Sequence, residues 1–273
     1  MKKLIFLDID GTLTPPGSNV PPDSAQEAIR LARRRGHGVC LCTGRNYGML
    51  SPLLVYGFDG VIGSTGGYVK WGEQVLYDCP MTRSQQERSM EVFRRSGIYR
   101  TVESRDHAYT DEAFKTFLRE NAGGGSERLR WREQVENSLH IRPMAEYRGE
   151  PIYKIVFMSP GRERLTEPMA ELEEEFAFCF QGTDELGVVN GELINRQYNK
   201  GTALRRLSEH LGVPLEDTVA FGDSMNDLEM LETAGLGICM GGGSPALQSA
   251  ADEVCPPLEE DGLYRAFAAH DLL

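Results

Sequence analysis

The sequence predicts an α/β fold built on a doubly wound parallel sheet, with a second α/β domain inserted into it. Apolar strand segments alternate with helical segments over the first eighty residues, and the same alternation returns from about Gly191 to the C-terminus. The segment between them mixes helix and strand patterns with polar turns and a glycine run, "AGGGSE". Because strand–helix–strand repeats pair in parallel through right-handed crossovers, we expect the two ends of the chain to form one sheet.

The first part of the chain begins with "LIFLDI", whose continuous apolar character is typical of a strand covered on both faces. The following "SAQEAIRLARRRG" places its apolar residues on one helical face, and Ser24 with Glu27 fits a capping box. The segments "GVCLCT", "RNYGMLSPLLVY" and "GVIGST" then predict a strand, a helix and a short strand.

The last part of the chain continues the same order. A helix is predicted at "KGTALRRLSEHLG", and strands then alternate with helices through "TVAFGD", "NDLEMLETAG", "LGICM", "SPALQSAAD", "DEVC" and "GLYRAFAAH". In the middle, "SQQERSMEVFRRSG", "DEAFKTFLRE" and "RERLTEPMAELEEE" predict helices, whereas "YKIVFM", "FAFCFQ" and "LGVVN" predict strands. We therefore predict a discontinuous core of residues 1–80 and 191–273, with an inserted α/β domain over residues 81–190.

Composition and charge exclude several classes of protein. The formal net charge of −12 argues against a nucleic-acid partner, which requires clustered Lys and Arg. The apolar N-terminal run is interrupted by Asp8 and Asp10, and no stretch approaches the roughly 18 apolar residues of a membrane span, so neither a signal peptide nor a membrane partner is expected. The six cysteines form no C-x-x-C pair. They are expected to be buried, reduced thiols, which predicts a cytoplasmic protein, and no protein partner is evident.

Polar residues follow the predicted core strands at the positions where ligands bind in doubly wound sheets, beyond the carboxyl ends of the strands. They are Asp8 and Asp10 after the first strand; Thr43, Gly44 and Arg45 after the second; Lys200 at the start of a later helix; and Gly222, Asp223, Ser224, Asn226 and Asp227 after "TVAF". We expect these residues to meet at one edge of the sheet.

Their chemistry suits a phosphate ester beside a metal ion. Carboxylate oxygens without nearby His or Cys favour Mg²⁺, which would also offset the repulsion among Asp8, Asp10 and Asp223. The Lys200 ammonium, the Thr43 hydroxyl and backbone amides can bind phosphoryl oxygens. Taken singly, each residue also fits an ordinary role, such as a solvated strand end, a helix cap or a surface lysine. Their order along the chain is what favours a common site.

Four segments, "DIDGTLT", "TGR", "NKGTAL" and "GDSMNDLEML", resemble the ordered motifs of the haloacid dehalogenase superfamily of phosphotransferases. Two further segments, "ICMGGGSPALQSAADEV" and "EEDGLYRAF", are similar to the C-terminal part of its Cof-type members. The resemblance covers both ends of the chain and implies a Rossmann-like parallel sheet core with an inserted α/β cap of type IIB. The inserted segment carries no comparable motif.

The resemblance also implies a role for each matching residue. Asp8 would be the nucleophile that forms an aspartyl-phosphate, and Asp10 would be the general acid and base. The phosphoryl group would be held by Thr43, Gly44, Lys200 and Asn226. Mg²⁺ would be held by Asp8, the backbone carbonyl of Asp10, Asp223 and Asp227, the last either directly or by supporting the other ligands.

The function implied is a Mg²⁺-dependent phosphatase of small phosphate monoesters, such as sugar phosphates or related metabolites. Two alternatives stay open: a phosphohexomutase of the same superfamily, and a non-catalytic protein that binds a phosphorylated ligand. Two positions depart from the Cof-type pattern, Thr65 where Asn is usual and Gly242 where Asn is usual. Candidate substrate contacts in the insertion are Arg105, Asp106, His107 and Tyr109.

Overall fold

The computed structural model describes residues 2–120, 141–183 and 187–273. The chain divides into two compact units. The core unit comprises Met1–Asp78 and Tyr198–Leu273, and the inserted unit comprises Cys79–Gln197. Each unit contains its own sheet and its own apolar core.

The structure contains strands and helices in alternation, as the sequence predicts for an α/β protein. The strands are β1 (Leu4–Leu7), β2 (Gly38–Cys42), β3 (Gly60–Gly63), β4 (Tyr68–Trp71), β5 (Gln74–Asp78), β6 (Tyr99–Ser104), β7 (Ala108–Thr110), β8 (Ile141–Pro143), β9 (Ile152–Ser159), β10 (Phe176–Thr183), β11 (Val189–Asn195), β12 (Thr218–Gly222), β13 (Leu236–Met240) and β14 (Glu253–Cys255). The α-helices are Asp23–Arg34, Ser51–Leu54, Arg83–Arg95, Glu112–Glu120, Thr166–Leu172, Lys200–Leu211, Leu228–Thr233, Pro245–Ala250 and Gly262–Ala269.

The core sheet has the strand order β14-β13-β12-β1-β2-β3-β4-β5. The six strands from β14 to β3 are parallel, and β4 and β5 add an antiparallel hairpin at one edge. From β1 the chain proceeds outward through β2 and β3, and it returns on the other side of β1 as β12. The predicted parallel core is confirmed, and its strand order reverses between β1 and β12.

Strand β1 is buried on both faces because alternate side chains enter two different apolar layers. Ile5 and Leu7 pack in the layer that contains the helix Asp23–Arg34. Leu4 and Phe6 pack in the opposite layer, which contains the helix Lys200–Leu211. Burying one such side chain contributes about 1.5–3 kcal/mol. The apolar layers thus fix the position of the residue that follows β1.

The inserted unit has the strand order β10-β11-β9-β6-β7-β8. All neighbouring pairs are antiparallel except β7 and β8, which are parallel. Val102, Ile155 and Leu193 from three of these strands pack with Phe93 of the helix Arg83–Arg95. The glycine run at 122–127 lies outside the described residues.

The boundaries of the inserted unit differ from the predicted 81–190. Strand β11 continues to Asn195 and pairs antiparallel with both β9 and β10, so residues 191–197 belong to the inserted unit. At the other end, Cys79 contacts Gln197 of the same unit. Gly191 and Glu192 interrupt the apolar pattern after "VVN", so the sequence does not predict that this strand continues.

Several local predictions are also corrected. The helix Asp23–Arg34 begins after Pro22 and has no capping bond from a side chain, so the predicted capping box of Ser24 and Glu27 does not form. The predicted helix "RNYGMLSPLLVY" is a 3₁₀ turn followed by a single α-turn, Ser51–Leu54. The sequence pattern predicts no strands in the stretches that form β4 to β8, because polar residues are frequent there.

Only some of the cysteines are buried, although the sequence predicts that all six are. Cys40, Cys42, Cys239 and Cys255 are buried, whereas Cys79 is half-buried and Cys179 is exposed. Cys179 is exposed because it lies on β10, an edge strand whose last five residues face solvent. Among the described residues, no helix combines the length and apolar character required to cross a membrane.

Candidate active site

The reversal of strand order places the ends of β1 and β12 side by side in the core unit. Leu7 is in register with Phe221, and the Asp8 N–H donates a hydrogen bond to the Phe221 carbonyl at 3.0 Å. Asp8 therefore follows β1 and Asp223 follows β12 at adjacent positions. Such a crevice is where ligands of doubly wound sheets bind.

Lys200 is the first residue of the helix Lys200–Leu211 and is fully buried. The helix starts there because Asn199 caps it: the Asn199 side chain accepts a hydrogen bond from the Thr202 N–H at 2.7 Å. The Thr202 hydroxyl accepts in return from the Asn199 N–H at 2.9 Å. This cap directs the Lys200 side chain to Asp8, with Nζ 2.6 Å from Oδ1.

Asp227 holds the same ammonium from the other side. Its Oδ1 atom lies 2.5 Å from Lys200 Nζ, and its Oδ2 atom accepts from the backbone N–H groups of Asp223 and Ser224 at 3.1 and 3.2 Å. Gly222 permits this approach, because a Cβ atom there would lie 2.5 Å from the Asp227 Cβ. Both carboxylate oxygens of Asp227 are therefore engaged by donors of the protein itself.

Three carboxylates form a cluster that fits a divalent cation. One oxygen each of Asp8, Asp223 and Asp227 lies within 4.8 Å of the others. Burial raises the pKa of Asp8 to about 8; Asp227 adds to this rise, and Lys200 opposes it. Burial and then Asp227 raise the pKa of Asp223 to about 6. Crowded, poorly solvated carboxylates with hard oxygen donors are the set that a bound Mg²⁺ would stabilise in ionised form.

Asp10 is placed differently from the other predicted metal ligands. Within the described residues, its carboxylate is not part of the group formed by Asp8, Asp223 and Asp227. Instead, Arg45 donates two hydrogen bonds to it, from Nε to Oδ2 at 3.0 Å and from Nη2 to Oδ1 at 2.7 Å. The carboxylate of Asp10 is thus directed to a guanidinium group, and only its backbone stays a predicted ligand.

The turn after Asp10 supports Asp223. The Thr12 hydroxyl donates to Asp223 Oδ1 at 3.3 Å. Gly11 has φ +84°, and a Cβ atom there would lie 2.5 Å from Asp223 Oδ2. Glycine is therefore required at position 11 both by the backbone conformation and by the approach of the carboxylate.

Thr43 and Gly44 lie just after β2, as predicted. Thr43 is buried, and its hydroxyl accepts a hydrogen bond from the Arg45 N–H at 3.1 Å. Asn226 is exposed, and its Oδ1 atom accepts from Lys200 Nζ at 3.4 Å and from the Ser224 hydroxyl at 2.9 Å. Asn226 is therefore linked to the Lys200 group.

The loop after β3 contains two residues in a strained backbone conformation, of which only Thr65 is marked by the sequence, as a departure from the Cof-type pattern. Ser64 and Thr65 have φ values of 49° and 58°, a conformation that is an outlier for a β-branched residue. The Thr65 N–H donates to the Thr43 carbonyl at 3.0 Å. Neither hydroxyl, Ser64 Oγ or Thr65 Oγ1, has a hydrogen-bond partner although both atoms are buried. Arg45 and this loop belong to the site, although the sequence predicts no role for either of them.

The candidate contacts in the inserted unit include two pairs, and in one of them the ring of His107 meets the ring of Tyr109 edge-on, with centroids 6.4 Å apart. Arg105 and Asp106 form an ion pair with each other at 2.7 Å, with both side chains about half exposed. Tyr109 is buried in the apolar core of the unit, and its hydroxyl donates to Glu150 at 2.8 Å. Tyr109 is therefore a core residue, because the strand β7 directs it inward.

Comparisons with known proteins agree with this arrangement. The sequence model of the haloacid dehalogenase-like hydrolases matches residues 5–267. The chain is 31% identical over 284 residues to the phosphatase YwpJ of Bacillus subtilis, covering 96% of this chain and 97% of that protein. It is 30% identical over 260 residues to the HMP-PP phosphatase of Serratia proteamaculans, covering 91% and 87%. The solved structure of BT4131, described as a HAD subclass IIB sugar phosphatase, covers all of both chains with a TM-score of 0.78 at 22% identity. That likeness shows the fold.

Proposed function

Because the chain belongs to the haloacid dehalogenase-like hydrolase family, we propose that it is a Mg²⁺-dependent phosphatase that acts through an aspartyl-phosphate at Asp8. The observation that carries the proposal is the convergence of three carboxylates, Asp8, Asp223 and Asp227, within 4.8 Å of one another beside a buried lysine. A surface cluster of acidic residues would not bury an ammonium group among them. The arrangement offers carboxylate oxygens to a cation and an ammonium group to a phosphoryl group.

In the proposed first step, the Asp8 carboxylate attacks phosphorus. Lys200 contacts its Oδ1 atom at 2.6 Å, so Oδ2 is the oxygen proposed to attack. A new bond forms between Oδ2 and phosphorus, the bond from phosphorus to the leaving alcohol breaks, and the Asp10 carboxyl gives its proton to the alcohol oxygen. Mg²⁺, when bound by Asp8, Asp223 and the Asp10 carbonyl, would supply positive charge to offset repulsion between the carboxylate and the phosphate.

In the proposed second step, water releases the phosphate. Asp10, now ionised, takes a proton from the water as its oxygen attacks phosphorus. The bond between phosphorus and Asp8 then breaks, which regenerates the carboxylate and yields inorganic phosphate. We assign Asp227 to holding Lys200 and the Asp223 loop, since its carboxylate accepts from the Lys200 ammonium and from the Asp223 and Ser224 amides.

The phosphoryl oxygens are proposed to be held by Lys200, Thr43, the Gly44 amide and Asn226. Lys200 supplies a full charge from a buried position, where its attraction for an anion is little screened by solvent. Thr43 already accepts a hydrogen bond from Arg45, so its hydroxyl proton is available for donation to phosphate. Asn226, being exposed, is placed at the solvent side of the ammonium.

The proposed substrate class is a small phosphorylated metabolite, and the inserted unit is proposed to act as the cap that selects the leaving group. The similarity to an HMP-PP phosphatase and to other phosphatases supports the class, and the residues of this chain do not narrow it to one compound. A phosphohexomutase would require an activating bisphosphate, whereas a phosphatase would release phosphate without one.

The experiment is a phosphate-release assay on purified protein with p-nitrophenyl phosphate and a panel of phosphorylated metabolites. We expect activity that depends on Mg²⁺. Asp8→Asn should abolish it, because this change replaces the nucleophilic carboxylate with an amide of nearly the same size and shape. Asp217→Asn, a change in the same unit at the half-buried ion pair with Lys3, is the control and should retain activity. A wild-type protein that is inert over the whole panel would favour the non-catalytic binding role.

A further inference from the structure

The carboxylate of Asp10 is held in a defined plane by three donors. The Nε and Nη2 groups of Arg45 donate to its two oxygens at 3.0 and 2.7 Å. The Gly17 N–H donates to Oδ1 at 2.8 Å. A fork of two parallel N–H groups fixes the orientation of a carboxylate as well as its position. Asp10 is therefore oriented before any substrate binds.

Arg45 is itself fixed by contacts with the loop between β1 and the first helix. Its Nη1 group donates to Asn19 Oδ1 at 2.6 Å, and Nη2 donates to the Ser18 carbonyl at 3.3 Å. Its backbone N–H donates to the Thr43 hydroxyl, and its carbonyl accepts from the Ser64 N–H at 2.9 Å. The guanidinium is less exposed than the carboxylate it holds, 18% against 39%. These contacts make Arg45 a rigid support and not a solvated surface side chain.

We propose that Arg45 is the positioning residue for the general base: it holds the Asp10 carboxylate in the orientation that removes a proton from water during hydrolysis of the aspartyl-phosphate. The inference rests on the proposed function. In that step a bond forms between the water oxygen and phosphorus, the proton passes to Asp10, and the bond from phosphorus to Asp8 breaks. The Nε and Nη2 groups of Arg45 reach both oxygens of Asp10, so they fix the plane in which the carboxylate meets the attacking water.

The inference predicts which half of the reaction depends on Arg45. p-Nitrophenolate is a weakly basic leaving group, so its departure needs little help from a general acid. The value of kcat/KM covers events up to the first irreversible step, the departure of the leaving group. Loss of Arg45 should therefore lower kcat and KM together for p-nitrophenyl phosphate, with kcat/KM nearly unchanged.

The test compares Arg45→Gln with the wild type under Mg²⁺. We expect kcat to fall by about 10- to 100-fold, because a correctly placed general base contributes about 10²–10⁴-fold and the carboxylate itself stays present. An initial burst of p-nitrophenol and a phosphorylated protein in acid-quenched mass spectra should accompany this fall. Arg45→Lys keeps the charge without the fork, and it should show a smaller fall and less phosphorylated protein.

A matched control is available on the surface of the same unit. Arg33 forms a similar two-pronged pair with Asp59, at 2.8 to 3.2 Å, and neither residue belongs to the catalytic motifs. Arg33→Gln should leave kcat, KM and the absence of a burst unchanged. In metal-free protein, hydrogen exchange at Gly17 and its neighbours should be faster in Arg45→Gln than in wild type, because the loop loses its support.

Two results would overturn the inference while leaving the phosphatase intact: an unchanged kcat in Arg45→Gln, or a kcat/KM that falls as far as kcat with no phosphorylated protein. The second result would indicate a role in substrate binding or in the leaving-group step. Absence of any wild-type turnover would overturn the proposed function together with this inference. If Arg45→Gln does not fold, the same comparison with Arg45→Lys decides the question.

Discussion

The ammonium nitrogen of Lys200 lies 2.6 Å from Oδ1 of Asp8, although the two residues are 192 positions apart in the chain. The contact joins the strand before the inserted unit to the helix after it. Lys200 is fully buried and Asp8 is 6% exposed, so neither charge is compensated by bulk water. Because an unpaired buried charge costs several kcal/mol, this contact couples the folding of the core unit to the assembly of this part of the site.

Replacing Lys200 with methionine should lower both the stability of the protein and its phosphatase activity, and the two effects can be measured independently. The change leaves Asp8 and Asp227 buried without their ammonium partner, and we expect the free energy of unfolding of metal-free protein to fall by about 3–5 kcal/mol. Phosphatase activity should be lost. Urea denaturation followed by circular dichroism measures the first effect, and phosphate release measures the second.

The double variant Lys200→Met with Asp227→Asn tests whether the unpaired carboxylates cause this loss of stability. It removes one of the unpaired carboxylates and keeps an oxygen that can accept from the Asp223 and Ser224 amides. It should therefore regain part of the lost stability and none of the activity. A single Lys200→Met variant as stable as the wild type would show that the ammonium is not needed to compensate these carboxylates.

Removal of the Asp223 charge should weaken Mg²⁺ binding in a way that thermal unfolding detects without substrate. A ligand that binds only the folded state stabilises it by about 2.7 kcal/mol at 100 times its Kd. We expect Mg²⁺ to raise the melting temperature of the wild type and to have little effect on Asp223→Asn. Asp217→Asn, remote from the cluster, should respond to Mg²⁺ as the wild type does; an equal response of Asp223→Asn would remove Asp223 from the metal site.

The parallel core and the convergence of Asp8, Lys200, Asp223 and Asp227 could be anticipated from the sequence, because apolar strands were followed directly by polar residues. The family and the enzyme class, a phosphoric monoester hydrolase, are confirmed. The pairing of Asp10 with Arg45 could not be anticipated, since it depends on how two loops approach each other. The roles of the site residues and the cytoplasmic location stay predictions.

The strands of the inserted unit are harder to predict from the sequence than those of the core unit, for a physical reason. Its sheet is mostly antiparallel, and its strands place charged residues such as Glu103, Lys154 and Glu192 on positions that are buried or nearly so. Such strands lack the continuous apolar pattern that marks β1 and β12. The extension of β11 past "VVN" was missed because Gly191 and Glu192 are poor strand formers, although cross-strand pairing with β9 and β10 stabilises them there.

Thr65→Asn should stabilise the protein. Thr65 has φ 58° and a buried hydroxyl without a partner, whereas asparagine tolerates this conformation much better. We expect a gain of about 1 kcal/mol in the free energy of unfolding, at the lower end of the cost of such strain. Thr218→Asn provides the contrast, since Thr218 is extended with φ −105° and its hydroxyl donates to the Leu215 carbonyl at 2.7 Å. That variant should lose stability; a loss of similar size in Thr65→Asn would mean that the loop requires threonine for packing.

The ionic cluster of the inserted unit should make stability depend on pH through Glu103. Lys154 Nζ lies 2.8 Å from Glu192 and 3.5 Å from Glu103, so two carboxylates share one buried ammonium. Burial raises the pKa of Glu103 above its ordinary value of 4.5, Glu192 adds to the rise, and Lys154 opposes it. The folded state therefore binds a proton at Glu103 more readily than the unfolded chain does.

The sign of the effect follows from this difference. The contribution of Glu103 is fully present below about pH 4.5, the value for the unfolded chain, and is lost as the pH rises through the folded-state pKa. Glu103→Gln mimics the protonated form at every pH, so its stability relative to the wild type should increase as the pH rises from acid to neutral. Urea denaturation at several pH values measures this. Glu91→Gln is the control, because Arg94 lowers the pKa of Glu91 and the relative stability of that variant should change in the opposite direction. A Glu103→Gln difference that stays constant with pH would show that the pKa of Glu103 does not change on folding.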